Sequence, residues 1–468
     1  MSDPKLLING ALRDGVRTMD VINPATGDAF AACPLADEAL LDEAVAAARA
    51  AFPVWSARPI DERAALVTAL ADALQARAGE FSQLLTREQG KPLDQAGMEV
   101  MGAAFTLRAF AAMRLEPVLL KDDEKGKIVE LRKPLGVVGA ITPWNYPLML
   151  LMNKVGPALM AGNTVVAKPA PTTPLTSLLF GTLCADIMPP GVVNIVCDDN
   201  DLGPAITSHP DIAKISFTGS TETGKKVMQA AAATLKRVTL ELGGNDAAIV
   251  LDDADPVDTA RRIFQGAMAN AGQVCIAIKR AYVPEAMYEI FCEELAQLAR
   301  AAIVDDGSRQ GAQIGPIQNR AQFDKLRALL KTCADEGQLA AGGDVIDRPG
   351  YFLAPTIVRD VDDNALIVRE EQFGPILPIL KYHDLDDVIA RANAGNYGLG
   401  GSIWSADEER ATAAAARIQS GTVWVNQHLA LNPTVPFRGA KSSGMGVELG
   451  MDGLKEYTQA SIINIKRQ

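Results

Sequence analysis

The chain has 468 residues, of which 48% are hydrophobic and 22% charged, a composition typical of a globular protein with two or three domains. The net charge of −12 argues against a nucleic-acid surface, which requires a basic patch. No apolar run reaches the roughly 18 residues of a membrane helix, and the first residues show no signal-peptide pattern. Six scattered cysteines without a Cys-x-x-Cys pair indicate a reducing compartment, so we expect a cytoplasmic protein.

Apolar periodicity predicts the elements in chain order. Helices are predicted at 37–50, 61–78, 107–113, 148–160, 175–187, 257–269, 286–302 and 320–335. Strands are predicted at 127–132, 137–141, 164–167, 192–196, 215–217, 238–240, 247–251, 279–283, 356–358, 376–381, 399–404, 421–425 and 461–466. Between 137 and 253 strands and helices alternate, which indicates a parallel sheet in a doubly wound α/β domain, and a second α/β stretch follows.

A cysteine and a glutamate form the most informative pair in the chain. Cys275 is preceded by Gly272 and has small or apolar neighbours, so its sulfur can be exposed to a reacting carbon. Glu241 is followed by two glycines, Gly243 and Gly244, in a turn that would let its carboxylate reach a water molecule. A nucleophile with a carboxylate base is the minimum for covalent acyl chemistry. A buried structural cysteine and a surface glutamate are the more common interpretation of either residue alone.

Six segments together resemble the NAD(P)-dependent aldehyde dehydrogenase superfamily: 142–147 (TPWNYP), 166–169 (VAKP), 217–221 (FTGST), 241–244 (ELGG), 272–275 (GQVC) and 371–375 (EQFGP). The resemblance extends from about Ile22 to the C-terminus and implies that family's α/β fold. It implies a Rossmann-type cofactor domain at 1–115 and 135–243, an α/β catalytic domain at 244–440, and a small β oligomerisation element at 116–134 and 455–468. It further implies a homodimer or homotetramer in which the strand near 461–466 pairs across a subunit interface with the strand near 127–132.

The resemblance also implies the roles of four catalytic residues. Cys275 would attack the aldehyde carbon, while the Asn145 side chain and the Cys275 backbone amide stabilise the oxyanion. After hydride transfer to the nicotinamide, Glu241 would activate the water that hydrolyses the thioester, and Glu448 would relay protons with it. A free cysteine has a pKa near 8.5, so the nicotinamide charge or a helix N-terminus would have to favour the thiolate, and the sequence leaves both open.

The cofactor site lacks the Gly-x-Gly-x-x-Gly fingerprint. Residues 219–225 resemble a phosphate-binding P-loop, but Lys226 replaces the required Ser or Thr and Glu222 would repel phosphates. We predict instead a tight turn at Gly219 and a helix opening at Ser220, whose N-terminus suits a pyrophosphate. The resemblance implies that the cofactor is bound by Thr142, Pro143, Trp144, Lys168, Ala170, Pro171, Gly203, Phe217, Gly219, Ser220, Leu242, Glu371 and Phe373.

Position 171 leaves the choice between NAD and NADP open. Many relatives carry a glutamate there that binds the ribose hydroxyls, whereas this chain has Pro171. Losing the carboxylate removes both an attraction for the 2′-hydroxyl and a repulsion of a 2′-phosphate. We favour NAD slightly over NADP, because no second cation near 171 offers a partner for the phosphate.

The substrate channel implied by the resemblance is lined by Tyr146, Leu150, Asn153, Val274, Ile276, Leu429 and Leu431. Its apolar character favours an uncharged aliphatic or aromatic aldehyde, while Arg438 leaves open a carboxylate-bearing semialdehyde. A coenzyme A-acylating enzyme and a non-catalytic structural relative are further alternatives, and the presence of Glu241 and Cys275 argues against them. No metal site is expected, because the three histidines are far apart in sequence.

Overall fold

The computed structural model describes residues 3–467, so residues 1, 2 and 468 of the predicted domain ranges lie outside the described residues. The strands are β1 Leu6–Ile8, β2 Ala11–Arg13, β3 Arg17–Ile22, β4 Ala29–Leu35, β5 Val118–Asp123, β6 Gly126–Pro134, β7 Val137–Ile141, β8 Thr164–Lys168, β9 Val193–Ile195, β10 Ile212–Thr218, β11 Arg237–Glu241, β12 Asp246–Val250, β13 Ile278–Pro284, β14 Gln338–Ala341, β15 Thr356–Arg359, β16 Ile376–Tyr382, β17 Tyr397–Gly398, β18 Gly400–Trp404, β19 Thr422–Val425, β20 Ala440–Lys441, β21 Gly444–Met445 and β22 Thr458–Lys466. The α-helices are α1 Glu38–Ala57, α2 Ile60–Ala76, α3 Ala78–Gln89, α4 Leu93–Ala112, α5 Pro147–Met160, α6 Leu175–Ile187, α7 Gly203–Ser208, α8 Thr221–Ala232, α9 Pro256–Met268, α10 Tyr288–Ala301, α11 Arg320–Glu336, α12 Leu366–Arg369, α13 Leu385–Asn393, α14 Glu408–Ala415 and α15 Gly450–Lys455.

The first large sheet has the strand order β2-β1-β9-β8-β7-β10-β11-β21. Its central strands β8, β7, β10 and β11 run parallel, and β7 and β8 are buried along their whole length. This burial explains their continuous apolar runs, because helices such as α1 and α5 pack against these strands. The carboxyl ends of the parallel strands meet at one edge, where cofactors bind in such sheets. Thr142, Lys168, Gly219 and Glu241 lie at or just beyond these strand ends.

The second large sheet has the order β14-β15-β16-β13-β12-β18-β19 and is parallel except for the edge strand β14. The chain passes from β11 of the first sheet to β12 of the second through residues 242–245. Cys275 lies just before β13, in the same region. A Cβ on Gly244 would lie 2.4 Å from the Cys275 carbonyl oxygen, so the turn after Glu241 directly contacts the cysteine loop. The predicted α/β fold is confirmed.

A third sheet has the order β22-β6-β5 and corrects one prediction. Strand β22 pairs antiparallel with β6 of the same chain, from Thr458 opposite Pro134 to Lys466 opposite Gly126. The expectation that these strands pair across a subunit interface is therefore wrong. The physical reason is that the short helix α15 returns the chain directly to the end of β6. The division into three domains stays a prediction.

Candidate active site

Cys275 follows a strained turn between α9 and β13. Asn270, Ala271 and Gly272 all have left-handed φ values, of 50°, 55° and 71°. Residues with a side chain cost about 1–3 kcal/mol in such conformations, and strain of this kind concentrates at functional sites. A Cβ at Gly272 would lie 2.2 Å from the Gly374 carbonyl oxygen, so only glycine fits there. All six cysteines are described, and Cys275 alone is partly exposed.

The resting state of Cys275 is the thiol. Burial raises its pKa to about 12, the positive charge of Lys279 lowers it, and the carboxylates of Glu371, Asp246 and Glu241 raise it further. Nucleophilic attack requires the thiolate. The site must therefore gain positive charge, or lose negative charge, before the cysteine reacts.

Asn145 is held against the cysteine loop through both its side chain and its backbone carbonyl group. Its side-chain Nδ2 donates a hydrogen bond to the Gln273 carbonyl oxygen at 3.0 Å. Its backbone carbonyl accepts from Lys91 Nζ at 2.8 Å and from Asn270 Nδ2 at 3.0 Å. A carboxamide has two N–H groups, so one is left to donate to an oxyanion formed beside Cys275.

A buried ion pair that sequence reasoning missed supports Asn145. Lys91 Nζ lies 2.5 Å from Glu99 Oε2, and both side chains are 0% exposed. The other Glu99 oxygen accepts from the backbone amides of Leu148 and Met149, at the start of α5. Lys91 Nζ also lies 3.6 Å from the centre of the Tyr146 ring. The available signal was a glutamate among the small and apolar residues of α4, where a carboxylate requires a partner.

Glu241 ends strand β11 as a buried carboxyl group, and neither of its oxygens has a hydrogen-bond partner. Burial and the nearby Glu448 raise its pKa well above the ordinary range, while Lys154 lowers it. Glu448 accepts a hydrogen bond from Lys154 Nζ at 2.5 Å, and Lys154 also donates to Thr218 Oγ1 at 2.7 Å. Sequence reasoning missed Lys154, although a single lysine in the apolar helix α5 predicts a buried partner.

The turn after β10 has the geometry predicted for pyrophosphate binding. Helix α8 begins at Thr221, and the Ser220 hydroxyl caps it by accepting from the Thr223 amide at 3.3 Å. A Cβ on Gly219 would lie 2.5 Å from the Phe217 ring, so a larger residue there would have to displace that ring. The N-terminal amides of a helix suit a phosphate group.

Residues at the boundary between the two large sheets fit the nicotinamide end of a dinucleotide. Glu371 Oε1 accepts from the Gly244 amide at 2.9 Å, which fixes this half-buried carboxylate beside the turn after Glu241. The Thr142 hydroxyl is buried and has no hydrogen-bond partner, so it is available to a ligand. Trp144 and Phe373 pack edge to face, with ring centres 5.3 Å apart. The donor set and the turn at Gly219 therefore fit a nicotinamide dinucleotide.

Lys168, which was predicted to bind the cofactor, is already paired. Its Nζ lies 2.5 Å from Asp198 Oδ1, and both side chains are buried. The other Asp198 oxygen accepts from the Leu202 amide at 2.9 Å. The resemblance had implied that Lys168 binds the cofactor, and Asp198 had not been identified from the sequence. Of the remaining predicted cofactor residues, those that are buried are Ala170, Pro171 and Leu242, and those partly exposed are Pro143 and Gly203.

A cavity of about 820 Å³ includes two of the predicted substrate residues, Tyr146 and Leu429, in its lining, whereas Asn145 and Cys275 do not line it. Met98, Met149 and Phe264 supply apolar surface to it. Five predicted substrate residues do not line this cavity within the described chain: Leu150, Asn153, Val274, Ile276 and Leu431. Three of these, Asn153, Val274 and Ile276, are buried, while Leu431 is exposed.

The cavity contains a cation that the sequence reasoning did not identify. Arg261 lines it, is itself half exposed, and has its nearest ion-pair contact at a loose 3.9 Å to Asp258 on the same helix. Arg438, the cation named from the sequence, is half exposed, faces Asp452 at 3.5 Å and is not among the lining residues.

Within residues 3–467 no group of three or more His, Cys, Asp or Glu is placed to hold a metal ion. No described helix is long and apolar enough to cross a membrane.

The sequence pattern of the aldehyde dehydrogenase family matches residues 12–463. Aldehyde dehydrogenase LUC3 from Fusarium sp. is 40% identical over 460 residues, which cover 98% of this chain and 97% of that protein. The NAD⁺ complex of aldehyde dehydrogenase from Bacillus cereus matches with a TM-score of 0.97 at 36% identity, covering 100% of this chain and 97% of that one. An NADP-dependent enzyme from E. coli matches with a TM-score of 0.97 at 34% identity, covering 99% and 98%. As the sequence predicted, the chain belongs to the aldehyde dehydrogenase family and is an enzyme that oxidises aldehydes with NAD(P).

Proposed function

We propose that the enzyme oxidises an uncharged aldehyde to the carboxylic acid through a covalent intermediate on Cys275. The observation that carries this proposal is the position of Asn145, whose carboxamide is hydrogen-bonded to the loop of the partly exposed cysteine. A nucleophile and an oxyanion donor on two loops joined by a hydrogen bond are the arrangement that acyl chemistry requires.

In the first step the Cys275 thiolate attacks the aldehyde carbon and forms a thiohemiacetal. The free N–H of Asn145 stabilises the negative oxygen, a contribution of about 3–4 kcal/mol for one such donor. The Lys91–Glu99 pair holds Asn145 in place through its backbone carbonyl. Bound oxidised nicotinamide supplies the hydride acceptor, and the carbon on Cys275 becomes a thioester.

In the second step Glu241 removes a proton from a water molecule, which attacks the thioester carbon and releases the acid and the cysteine. Both Glu241 oxygens are unpartnered, so they are free to accept from water. The Lys154–Glu448 pair lies close enough to affect the charge of Glu241 and would carry the proton onward. The presence of this base supports hydrolysis over acyl transfer to coenzyme A.

For the cofactor we propose a preference for NAD. A 2′-phosphate requires a cation beside the adenosine ribose, and Lys168 is neutralised there by Asp198. Pro171 offers no charge of either sign. We therefore expect NADP to be used more slowly than NAD but not to be excluded.

The cavity lining supports an apolar aliphatic or aromatic aldehyde, because each buried methylene gains up to about 0.8 kcal/mol there. Arg261 favours a second candidate, a semialdehyde with a free carboxylate that the guanidinium would bind. Replacing Arg261 by alanine distinguishes the two, because it should impair only a substrate that carries a carboxylate.

The test follows the absorbance of reduced cofactor with a panel of aldehydes, with and without coenzyme A. We expect KM to fall from acetaldehyde to octanal, with benzaldehyde also accepted and no requirement for coenzyme A. Dependence on coenzyme A would overturn the hydrolytic mechanism. A kcat/KM for succinic semialdehyde above that for hexanal, lost in Arg261→Ala, would overturn the apolar substrate class.

We also propose that the enzyme is a homodimer or homotetramer in the cytoplasm. The oligomeric state is supported by exposed apolar side chains on the third sheet, which a partner subunit would bury. They are Val118, Leu119, Leu120, Ile462, Ile463 and Ile465. All six cysteines are free thiols, as expected in a reducing compartment. Light scattering during gel filtration tests the assembly, and a monomeric mass would refute it. Cell fractionation tests the compartment, and a membrane-bound or secreted enzyme would refute it.

A further inference from the structure

Lys279, on strand β13, is buried directly beneath the nucleophile. Its side chain is 1% exposed, and its Nζ donates to the Val274 carbonyl oxygen at 2.5 Å and to the Cys275 carbonyl oxygen at 3.3 Å. Burial lowers the pKa of Lys279, the negative charges of Glu371, Asp246 and a Cys275 thiolate raise it, and within residues 3–467 it forms no ion pair. The ammonium group therefore holds the cysteine loop through neutral acceptors alone.

The other buried lysines of the described chain differ from Lys279 because each has a carboxylate nearby. Lys91, Lys154 and Lys168 each lie 2.5 Å from a carboxylate oxygen, and Lys214 lies 4.0 Å from one. A buried charge without a partner is costly, whereas an uncharged donor would hold two carbonyl groups equally well. The charge of Lys279 therefore points to a negative partner that exists only during part of the reaction.

We propose that Lys279 is a positioning residue that holds the Cys275 loop and stabilises the thiolate of Cys275 by its positive charge. The proposal rests on the proposed function, in which that thiolate attacks the aldehyde. Within the described chain Lys279 is the cation that acts on the thiol, opposed by three carboxylates: Glu371, Asp246 and Glu241. Two other titratable groups near the cysteine loop stay uncharged near neutral pH, because burial raises the pKa of Tyr146 and lowers that of His428 to about 3.

The test measures alkylation of Cys275 by iodoacetamide in the full-length enzyme without cofactor, as a function of pH, with the site quantified by peptide mass spectrometry. Lys279→Met removes both charge and donor, and Lys279→Gln removes the charge but keeps an N–H for the carbonyl groups. In both variants we expect the apparent pKa for alkylation of Cys275 to rise by about one unit. At pH values below the apparent pKa, alkylation should then be about tenfold slower than in the wild type. Lys214→Gln is the matched control, because it removes a buried lysine that lies against Thr239, Glu456 and the Tyr457 ring rather than the cysteine loop, and its profile should match wild type.

Circular dichroism and thermal unfolding establish that each variant is folded. A folded Lys279→Gln enzyme with a wild-type profile would overturn the proposal, and so would a failure of both variants to fold, because the lysine would then be structural. Cys275→Ser separates this proposal from the proposed function. If that variant keeps dehydrogenase turnover, the mechanism fails, while the alkylation profiles still report whether Lys279 controls the thiol.

Discussion

Replacing Glu99 by glutamine tests whether the buried Lys91–Glu99 pair supports the oxyanion donor. The variant keeps an oxygen that can accept from the amides of Leu148 and Met149 but leaves Lys91 without a counter-charge. Both side chains of the pair are 0% exposed, and removing one partner of a buried pair costs about 3–5 kcal/mol. We therefore expect the free energy of unfolding to fall by that amount.

The same change should lower kcat, because Lys91 also holds the Asn145 carbonyl at 2.8 Å. Complete loss of an oxyanion donor costs about 100- to 1,000-fold, so a displaced donor should cost about tenfold or more within that limit. Urea titration and steady-state kinetics measure the two effects. Asp252→Asn breaks the exposed Arg410 pair and should cost less than about 1 kcal/mol without changing kcat. If Glu99→Gln behaved like this control in both assays, the supporting role would be refuted.

Cys275→Ser should abolish turnover but leave NAD affinity, measured by fluorescence titration, within about twofold, because the predicted cofactor residues lie elsewhere. Glu241→Gln should give a burst of reduced cofactor in rapid mixing and then very slow turnover; loss of the burst would assign Glu241 an earlier role. Because the pKa of Glu241 is raised and the base must be deprotonated, wild-type kcat should rise with pH through that pKa, and a flat profile would contradict this. Asp198→Asn should leave Lys168 free for a 2′-phosphate, which should raise kcat/KM for NADP relative to NAD about tenfold. An unchanged ratio would show that the Lys168–Asp198 pair does not set the cofactor preference.

The sequence predicts best where an element is buried on a regular period. The strand predicted at 137–141 and the helix at 175–187 have the observed bounds of β7 and α6, because both lie in the apolar core. Prediction fails where propensity and packing disagree. Helix α4 begins at Leu93, not near 107, since Gly97 and Gly102 weaken the helical signal of its first turns. Packing of α4 against α2 and α5 outweighs that weakness.

The motif residues were identifiable from sequence, but the charges that support them were not. Lys154 and Glu448 are far apart in the chain, and a single sequence shows that each needs a partner without showing which one. The same limit applies to Lys91 and Asn145, which meet only after α4 packs on α5. The strand partner of β6 was assigned to another subunit from the family resemblance, and nothing in the sequence itself shows that α15 turns the chain back.

Two buried lysines affect different steps of the proposed reaction. Lys279 acts on the attack by Cys275, and Lys154 acts on the hydrolysis through Glu241. Lys154 is already paired with Glu448, and burial together with the charge of Glu448 raises the pKa of Glu241 well above its ordinary range. Within residues 3–467 Lys279 forms no ion pair, but burial outweighs its positive charge at Cys275 and raises the pKa of the thiol to about 12. We therefore expect Cys275 to react only when further positive charge enters the site. Alkylation of Cys275 should be faster with NAD⁺ bound than with NADH bound, and equal rates at saturating concentrations would show that the protein alone sets the reactivity of the thiol.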